Sequence, residues 1–175
     1  MKSVQKLAMS ALFVAIAYVL SLIKFLHLPF GGSITFFSML TISLPSYFFG
    51  VQYGFMASFT YSFLQMIVDP YIVHPVQAVL DYTIGFSCFG IVGFFRNQKK
   101  GLMLGFIIAC IVRFISSSIS GYVFFKEYAP EAWNPIVYTV VYNASYIFAE
   151  CILSIVFLSI GQVERLLKSF RKKWE

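Results

Sequence analysis

The chain has 175 residues, the size of one domain, of which 59% are hydrophobic, 19% are aromatic and only 11% are charged. Soluble domains carry about 25% charged residues, so this chain has too few polar side chains to cover a globule in water. Its formal net charge is +6, from 13 basic and 7 acidic residues. The composition argues against a soluble enzyme, a nucleic-acid-binding protein and a disordered chain, and it predicts an integral membrane protein.

Long apolar segments follow one another along the chain. A transmembrane helix needs about 20 mostly apolar residues. Six segments approach or reach this length: Val4–Ile23, Ile34–Phe49, Val51–Val68, Val76–Phe95, Leu102–Phe124 and Pro135–Ile160. Because only Gly50 separates the second segment from the third and both are short, they form either a tight hairpin or a partly re-entrant pair. We therefore predict an all-α fold with six transmembrane helices in a single domain, residues 1–175.

Basic residues indicate the orientation of these helices. They concentrate in three segments: Lys2 and Lys6; Arg96, Lys99 and Lys100; and Arg165, Lys168, Arg171, Lys172 and Lys173. With six spans all three segments fall on one side of the membrane, and short loops rich in Lys and Arg lie on the cytoplasmic side. Both termini are therefore predicted to be cytoplasmic. The positive charge reflects topology and attraction to the lipid bilayer, and it indicates no nucleic-acid partner.

Sequence motifs of enzymes and energy-coupling proteins are missing from the sequence. It contains no GxxxxGK[ST] phosphate loop, no HExxH or GxSxG motif and no CxxC pair. Cys88, Cys110 and Cys151 lie in apolar stretches without paired spacing, so we expect small buried side chains and neither a disulfide framework nor a metal site. No enzyme activity and no cofactor are predicted. Any uphill transport would draw its energy from a partner or an ion gradient.

Three charged residues fall inside the predicted helices: Asp81, Arg113 and Glu150. Ions within membrane spans are costly, and they are usually paired or functional. Arg113 is predicted to pair with Asp81 or with Glu150. If Arg113 pairs with Glu150, Asp81 is free to meet a cationic ligand. The alternative, from a different class of function, is a self-sufficient secondary transporter in which the three residues form a proton or ion relay.

Aromatic and amide side chains collect near the same ends of the helices as Asp81. Ring faces attract organic cations and a carboxylate supplies the opposite charge, so this combination favours a binding site for a small aromatic cation. The alternative is an ordinary interfacial belt of aromatic residues. The residues concerned are Tyr71, His74, Gln77, Tyr82, Phe124, Phe125, Tyr128, Trp133, Tyr138, Tyr142 and Asn143.

Small residues suggest places of close approach. Ala8, Ala11 and Ala15, with Ser10, are predicted to form one surface of the first helix, and Ala11 and Ala15 have the small-xxx-small spacing that admits a neighbouring helix. Gly31 and Gly32 form a turn or a hinge before the second segment. Gly121 would let a ligand or a helix approach the fifth segment.

In these features the sequence resembles the thiamine-specific substrate-binding subunits, or S components, of energy-coupling factor transporters. The likeness covers nearly the whole chain, in the same order, and is carried by residues 31–35, 38–40, 74–77, 80–82, 113–121 and 128–131. The resemblance implies a multi-pass protein of the bacterial cell membrane that binds a vitamin from outside. It also implies a membrane coupling subunit and two cytoplasmic ATPases as partners, and the family's AxxxA surface that meets the coupling subunit corresponds to Ala11 and Ala15.

The resemblance also implies roles for individual residues. Asp81 matches the family's acidic ligand residue, often Glu, and would oppose the thiazolium charge. Tyr71 and Tyr82 would line the pocket beside it. Tyr138 and Asn143 match positions that contact the aminopyrimidine by stacking and hydrogen bonding. Gly121 matches a small position under the ligand.

Two positions depart from the family pattern. Ser117 stands where the thiamine binders carry His, and Phe125 stands where they carry a stacking Trp. Phe keeps a smaller ring, whereas Ser removes an imidazole. These departures keep open an S component for another small aromatic nitrogen compound, such as hydroxymethylpyrimidine or a vitamin B6 form.

Overall fold

Helices dominate the computed structural model, which describes residues 2–68 and 70–174. One helix lies in each predicted apolar segment: α1 (Ser3–Leu22), α2 (Ser38–Phe49), α3 (Val51–Val68), α4 (Pro75–Phe95), α5 (Gly101–Phe125) and α6 (Pro135–Ser159). A further helix, α7 (Gly161–Trp174), follows. Within the described residues, 4 helices can cross a membrane by length and composition: α1, α4, α5 with the turn after it, and α6. The prediction of a helical membrane protein is therefore confirmed, and the number of six spans stays a prediction.

The all-α prediction is wrong between α1 and α2, where the chain forms an antiparallel β-hairpin. Strand β1 (Lys24–His27) pairs with β2 (Ser33–Thr35). At the tip Phe30 and Gly31 both have positive φ, at 64° and 89°, and Gly31 adopts this conformation without a steric penalty. Aromatic and β-branched residues near the tip, which favour extended backbone, explain why this loop pairs with itself.

The predicted start of the second helix is also wrong. Ile34 and Thr35 belong to β2, and α2 begins only at Ser38. Its 12 residues span about 18 Å at 1.5 Å per residue, against about 30 Å for the hydrocarbon core. Nearly all of α2 is buried in protein, which is where a helix that stops within the membrane is tolerated. Gly50, with φ of 100°, then turns the chain directly into α3, as both predicted arrangements of the two segments require.

Small polar residues pack inside the bundle beside the hydrophobic core, and many other large apolar residues face outward. Ser46 is fully buried at 0% exposure, whereas Ile152 and Val156 are 60% and 61% exposed. The Ser46 hydroxyl donates to the Gly90 carbonyl at 2.6 Å and accepts from the Gly93 N–H at 2.7 Å. Small residues of this kind let α2 and α4 approach closely, and the exposed apolar side chains are those that lipid would cover.

The predicted surface of α1 is correct for its alanines and wrong for Ser10. Ala8, Ala11 and Ala15 are exposed, but Ser10 is 3% exposed and its hydroxyl donates to the Lys6 carbonyl at 2.8 Å. One residue rotates the side chain by about 100° on an α-helix, so Ser10 faces the bundle beside an outward-facing Ala11.

The prediction that the cysteines are small buried side chains is confirmed, because Cys88, Cys110 and Cys151 are all buried. They lie on three different helices, α4, α5 and α6. Their small apolar side chains fill space inside the bundle, as free cysteines commonly do.

Contacts between distant segments define the two ends of the bundle. At one end the hairpin tip meets the other loops, with Phe30 against Tyr71 and Tyr128. We call it the cavity end, because Phe30 and Tyr71 line a cavity there. At the other, called the basic end, the Arg171 guanidinium donates to the Arg96 carbonyl and to Asn97. The basic segments around residues 96 and 171 therefore meet in space, as the predicted topology requires.

Candidate functional site

A cavity of about 880 Å³, open space at its mouth included, lies at the cavity end. The hairpin, the loop before α4, and helices α3 to α6 contribute to its wall. Small-molecule sites are typically concave and lined by apolar and aromatic side chains with a few polar groups. The predicted substrate-binding residues all line this cavity: Tyr71, Asp81, Tyr82, Ser117, Gly121, Phe125, Tyr138 and Asn143.

Asp81 lies in an irregular part of α4. Residues Val79–Ile84 form π-helical turns, and the Gly85 N–H donates to the Leu80 carbonyl five residues earlier. The Ser116 hydroxyl of α5 donates to the same carbonyl at 2.7 Å. Short π-helical segments are rare and occur frequently at functional sites. This one aligns Asp81 with the cavity and ties its backbone to α5.

The protein holds one oxygen of the Asp81 carboxylate. Oδ2 accepts hydrogen bonds from Gln77 Nε2 at 2.7 Å and from the Ser120 hydroxyl at 2.8 Å. Neither of these two bonds is to Oδ1, and within the residues that the structure describes Asp81 is the one carboxylate in the cavity wall. The carboxylate is therefore fixed in place with one oxygen available to a ligand.

Gln77 organises this corner of the cavity; from the sequence it was placed in the aromatic and amide cluster, but no role in ligand binding was predicted for it. Its side chain is 2% exposed. Besides Asp81, its amide nitrogen donates to the Tyr71 carbonyl at 3.1 Å, and its oxygen accepts from the Val73 N–H at 3.2 Å. Gln77 thus joins Asp81 to the loop before α4. The signal in the sequence is its spacing of four residues from Asp81, which places both on one helix face.

Aromatic rings form the wall beside Asp81. The Tyr71 and Phe125 rings are 5.7 Å apart, and Phe30 from the hairpin tip lies 6.4 Å from Tyr71. The Tyr82 hydroxyl accepts from the Tyr71 N–H at 2.8 Å, which orients the Tyr82 ring. Phe30 was not predicted, because its place in the cavity depends on the hairpin. Rings next to a carboxylate supply the stacking and cation–π attraction that an organic cation needs.

Tyr142 fastens the hairpin to α6. Its hydroxyl accepts from the Gly32 N–H at 3.0 Å and donates to the Pro29 carbonyl. A Cβ atom on Gly32 would lie 2.6 Å from that hydroxyl, so glycine is needed for this approach. The predicted Gly-Gly turn therefore brings the hairpin against the rim of the cavity.

Helices α5 and α6 meet at Gly121 and Asn143. A Cβ on Gly121 would lie 2.6 Å from Thr139 Cγ2 and 3.1 Å from Asn143 Nδ2. The Asn143 amide nitrogen donates to the carbonyls of Ser117 at 3.2 Å and Thr139 at 3.0 Å, and its oxygen accepts from the Tyr146 hydroxyl at 2.9 Å. One N–H donor of Asn143 therefore joins α6 to α5 and the other bonds within α6, and the second lone pair of its oxygen remains for a ligand.

The prediction that Arg113 pairs with Asp81 or Glu150 is wrong. Its guanidinium lies 3.8 Å from the centre of the Phe86 ring, and Nη1 donates to the Gly85 carbonyl at 3.4 Å. Among the described residues no carboxylate forms a salt bridge with it. A ring face and a carbonyl therefore stabilise this cation at the cavity wall.

Glu150 instead caps the N-terminus of α2. One carboxylate oxygen accepts from the Met39 N–H at 3.0 Å and the Ser38 hydroxyl at 3.4 Å. The other accepts from the N–H and hydroxyl of Thr35 at 2.9 and 2.7 Å. The first N–H groups of a helix have no partner within it and attract negative charge. Glu150 supplies both a hydrogen-bond acceptor and a negative charge, although it lies 111 residues from Met39 in the sequence.

Several residues of the predicted aromatic cluster lie outside the cavity wall. His74 stacks on Phe124 at 5.0 Å between ring centres, and Trp133 is 47% exposed. Their positions agree with an interfacial belt. Across residues 2–68 and 70–174, no group of three or more His, Cys, Asp or Glu side chains is arranged to hold a metal ion.

Comparisons with known proteins agree with one another. Residues 7–169 match the family model described as thiamine transporter protein. The chain is 30% identical to the thiamine transporter ThiT of Bacillus subtilis over 186 residues, covering 96% of each chain. It is 26% identical to ThiT of Lacticaseibacillus paracasei over 102 residues, 51% of each chain. The solved structure of ThiT from Listeria monocytogenes is similar with a TM-score of 0.80 and 25% identity, covering 98% of both chains.

Proposed function

Because this chain belongs to the thiamine transporter protein family, we propose that it is the substrate-binding subunit of an energy-coupling factor transporter and that it binds thiamine. The family consists of transport proteins rather than enzymes, and its members together with the apolar helices identify a multi-pass protein of the bacterial membrane. Thiamine enters from outside the cell and binds in this cavity.

The free oxygen of Asp81 is the observation that carries the proposal. Thiamine joins a permanently charged thiazolium ring to a neutral aminopyrimidine. Asp81 meets the cation with an anchored carboxylate, and Tyr71, Tyr82 and Phe125 contribute ring faces around it. In a partly dry cavity such charge-assisted contacts are stronger than in water. The anchoring by Gln77 means that the ligand does not have to order the carboxylate.

The aminopyrimidine occupies the opposite wall in this proposal. Tyr138 supplies a ring face for stacking. The Asn143 oxygen keeps one lone pair for the amino group of the ligand. Ser117 contributes a small polar side chain and leaves more space than an imidazole would. Gly121 holds α5 and α6 close enough for these residues to reach one ligand.

Uptake further requires partners that supply energy. We assign the outward-facing Ala11 and Ala15 of α1 to contact with a membrane coupling subunit, which joins the protein to two cytoplasmic ATPases. Their small side chains let another helix approach closely. The basic end lies in the cytoplasm, in keeping with the positive-inside rule, and both termini lie there with it.

The Asp81→Asn variant tests the cation site. It keeps the shape of the side chain and removes its charge, so thiamine affinity is expected to fall by about 10-fold to 100-fold, or about 1.4 to 3 kcal/mol. An analogue with a neutral thiophene in place of the thiazolium should lose much less. Isothermal titration of both ligands against both proteins gives the coupling between carboxylate and ligand charge.

Two comparisons complete this test. Glu127→Gln removes a carboxylate that is exposed outside the cavity wall, and it should leave both affinities unchanged. Competition against bound thiamine with hydroxymethylpyrimidine and pyridoxine identifies the preferred ligand. Equal losses of charged and neutral ligand in a folded Asp81→Asn protein, or tighter binding of either competitor than of thiamine, would contradict the proposed thiamine site.

A further inference from the structure

Helix α7 has two chemically opposite faces. At about 100° of rotation per residue, its apolar residues fall on one side and its cations on the other. The apolar face consists of Val163, Leu166, Leu167, Phe170 and Trp174, and the opposite face carries Arg165, Lys168 and Lys172. This separation is typical of a helix that lies in the plane of a membrane surface.

The contacts of α7 show that it crosses the basic end of the bundle. The chain leaves the helical conformation at Ile160, with φ of −67° and ψ of 113°, so α7 does not continue α6. At its far end the Trp174 ring lies 4.9 Å from Phe48 of α2 and 6.5 Å from Phe13 of α1. The helix is thereby held across the end of the bundle, at the level where a bilayer surface would be.

The bundle covers only part of the apolar face. Val163, Leu167 and Trp174 pack against the hydrophobic core. Leu166 and Phe170 are 56% and 42% exposed. This part of the apolar face is therefore left uncovered by the bundle. In a bilayer, side chains at this position point toward the acyl chains.

The exposed cations identify the chemistry of what covers this face. Arg165, Lys172 and Lys173 are exposed, and Lys168 pairs with Glu164 at 2.7 Å. Cations directly beside exposed leucine and phenylalanine match a surface that offers anionic headgroups next to hydrocarbon. Each Lys or Arg near an anionic membrane surface contributes about 1 kcal/mol, or about fivefold in affinity.

We propose that α7 is an interfacial helix that binds the anionic lipid surface of the bilayer. Leu166 and Phe170 insert between the headgroups, and the cations reach lipid phosphates from the polar face. This role is independent of the ligand in the cavity, because α7 lies at the opposite end of the bundle.

Depth measurements on the full chain test the proposal. The variants Leu166→Cys and Lys172→Cys carry a polarity-sensitive fluorophore on the apolar face and on the polar face, while the three native cysteines are buried. The proteins are reconstituted in vesicles of phosphatidylcholine mixed with phosphatidylglycerol. We expect blue-shifted emission and quenching by acyl-chain-labelled lipids at position 166, and quenching by aqueous acrylamide at position 172.

Neutralising the cations tests whether electrostatic attraction to anionic headgroups holds α7 at the bilayer surface. In the Leu166→Cys background, the changes Arg165→Gln, Lys172→Gln and Lys173→Gln should raise the acrylamide quenching constant at least twofold in vesicles that contain phosphatidylglycerol. In phosphatidylcholine alone they should have no effect. Lys126→Gln, at the cavity end, is the matched control and should leave the quenching constant unchanged in both kinds of vesicle.

Two results would overturn the proposal. Equal acrylamide quenching at positions 166 and 172 in anionic vesicles would mean that the apolar face stands away from the lipid, available to a protein partner. Unchanged quenching after the three cations are neutralised would mean that anionic headgroups do not bind α7. Thiamine titration of the same variants serves as a check on folding.

Discussion

The Asp81 carboxylate depends on neighbours that never need to touch the ligand. Gln77 and Ser120 both donate to Oδ2, so they fix the rotamer of Asp81 and direct Oδ1 to the cavity. Gln77 does more than Ser120, because it also binds the backbone of the loop that carries Tyr71. A residue of this kind acts on affinity through the geometry of another.

Replacing Gln77 should therefore weaken ligand binding. Gln77→Met keeps the length of the side chain and removes its hydrogen bonds, and we expect the thiamine affinity to fall by about 10-fold, since hydrogen bonds to a charged group contribute about 1.5–3 kcal/mol. Ser120→Ala removes one bond only and should cost less. Isothermal titration measures both variants. An unchanged affinity in a folded Gln77→Met protein would show that Asp81 needs no such support.

Glu150 illustrates a residue whose sequence context suggested function and whose contacts indicate stability. Its two oxygens accept hydrogen bonds from Thr35, Ser38 and Met39, and it does not line the cavity. The residue before α2, Phe37, offers no side-chain cap. Without Glu150, the Met39 N–H in the first turn of a buried helix would lose its acceptor.

Glu150→Gln should consequently destabilise the fold and spare the ligand site. The amide replaces one acceptor oxygen by a donor that faces other donors, so we expect a loss of about 1–3 kcal/mol and a lower Tm in detergent. Thiamine affinity should stay within about twofold at temperatures where the protein is folded. Glu131→Gln, an exposed carboxylate, is the control for Tm. A large loss of affinity with an unchanged Tm would place Glu150 in the binding machinery.

Among the elements, α1 contributes two different faces. Val14 and Ala17 pack inside the bundle at 6% and 0% exposure. Ala11 and Ala15 face outward, and no side chain of theirs is large enough to keep a neighbouring helix at a distance. Leu12 is also exposed, at 50%, but it already carries a large side chain suited to lipid.

Enlarging the alanines should separate uptake from binding. With Ala11→Trp or Ala15→Trp we expect vitamin uptake by cells to be abolished, because the coupling subunit can no longer approach, while thiamine affinity of the purified protein stays nearly unchanged. Leu12→Trp adds a ring beside this surface and should retain uptake. Parallel loss of uptake and binding in the alanine variants would instead indicate that this surface belongs to the fold.

For the molecule as a whole, the bundle combines a binding cavity at one end with a cationic surface at the other. Neither the sequence nor the described residues contain a nucleotide-binding motif. Binding requires only the cavity, whereas accumulation against a gradient requires coupling to a source of free energy. This difference is the reason that we propose a binding subunit rather than a complete pump.

The isolated protein is accordingly expected to bind thiamine without accumulating it. Purified protein in detergent should retain ligand in equilibrium dialysis, and vesicles that contain this chain alone should not concentrate thiamine when a proton or sodium gradient is applied. Vesicles that also contain the coupling subunit and the ATPases, supplied with ATP, provide the positive control. Gradient-driven accumulation by the chain alone would favour the self-sufficient secondary transporter.

Local sequence determined the membrane class, the approximate positions of the helices and the residues at the cavity. Apolar runs of about 20 residues record the thickness of the bilayer, and Asp81 stands out because an ion inside such a run is costly. The helix-level prediction failed where structure is not set by hydrophobicity alone. The hairpin before α2 and the shortened start of α2 depend on backbone pairing and on the cap from Glu150.

Only the tertiary structure decided which partners the buried polar groups have. Arg113 contacts Phe86 and a carbonyl instead of a carboxylate, and Tyr142 reaches the hairpin from 110 residues away. Such contacts have no period or spacing in the sequence, because they arise when helices distant along the chain pack together. The sequence names the chemical groups available to the cavity, and the packing determines which of them remain free for a ligand.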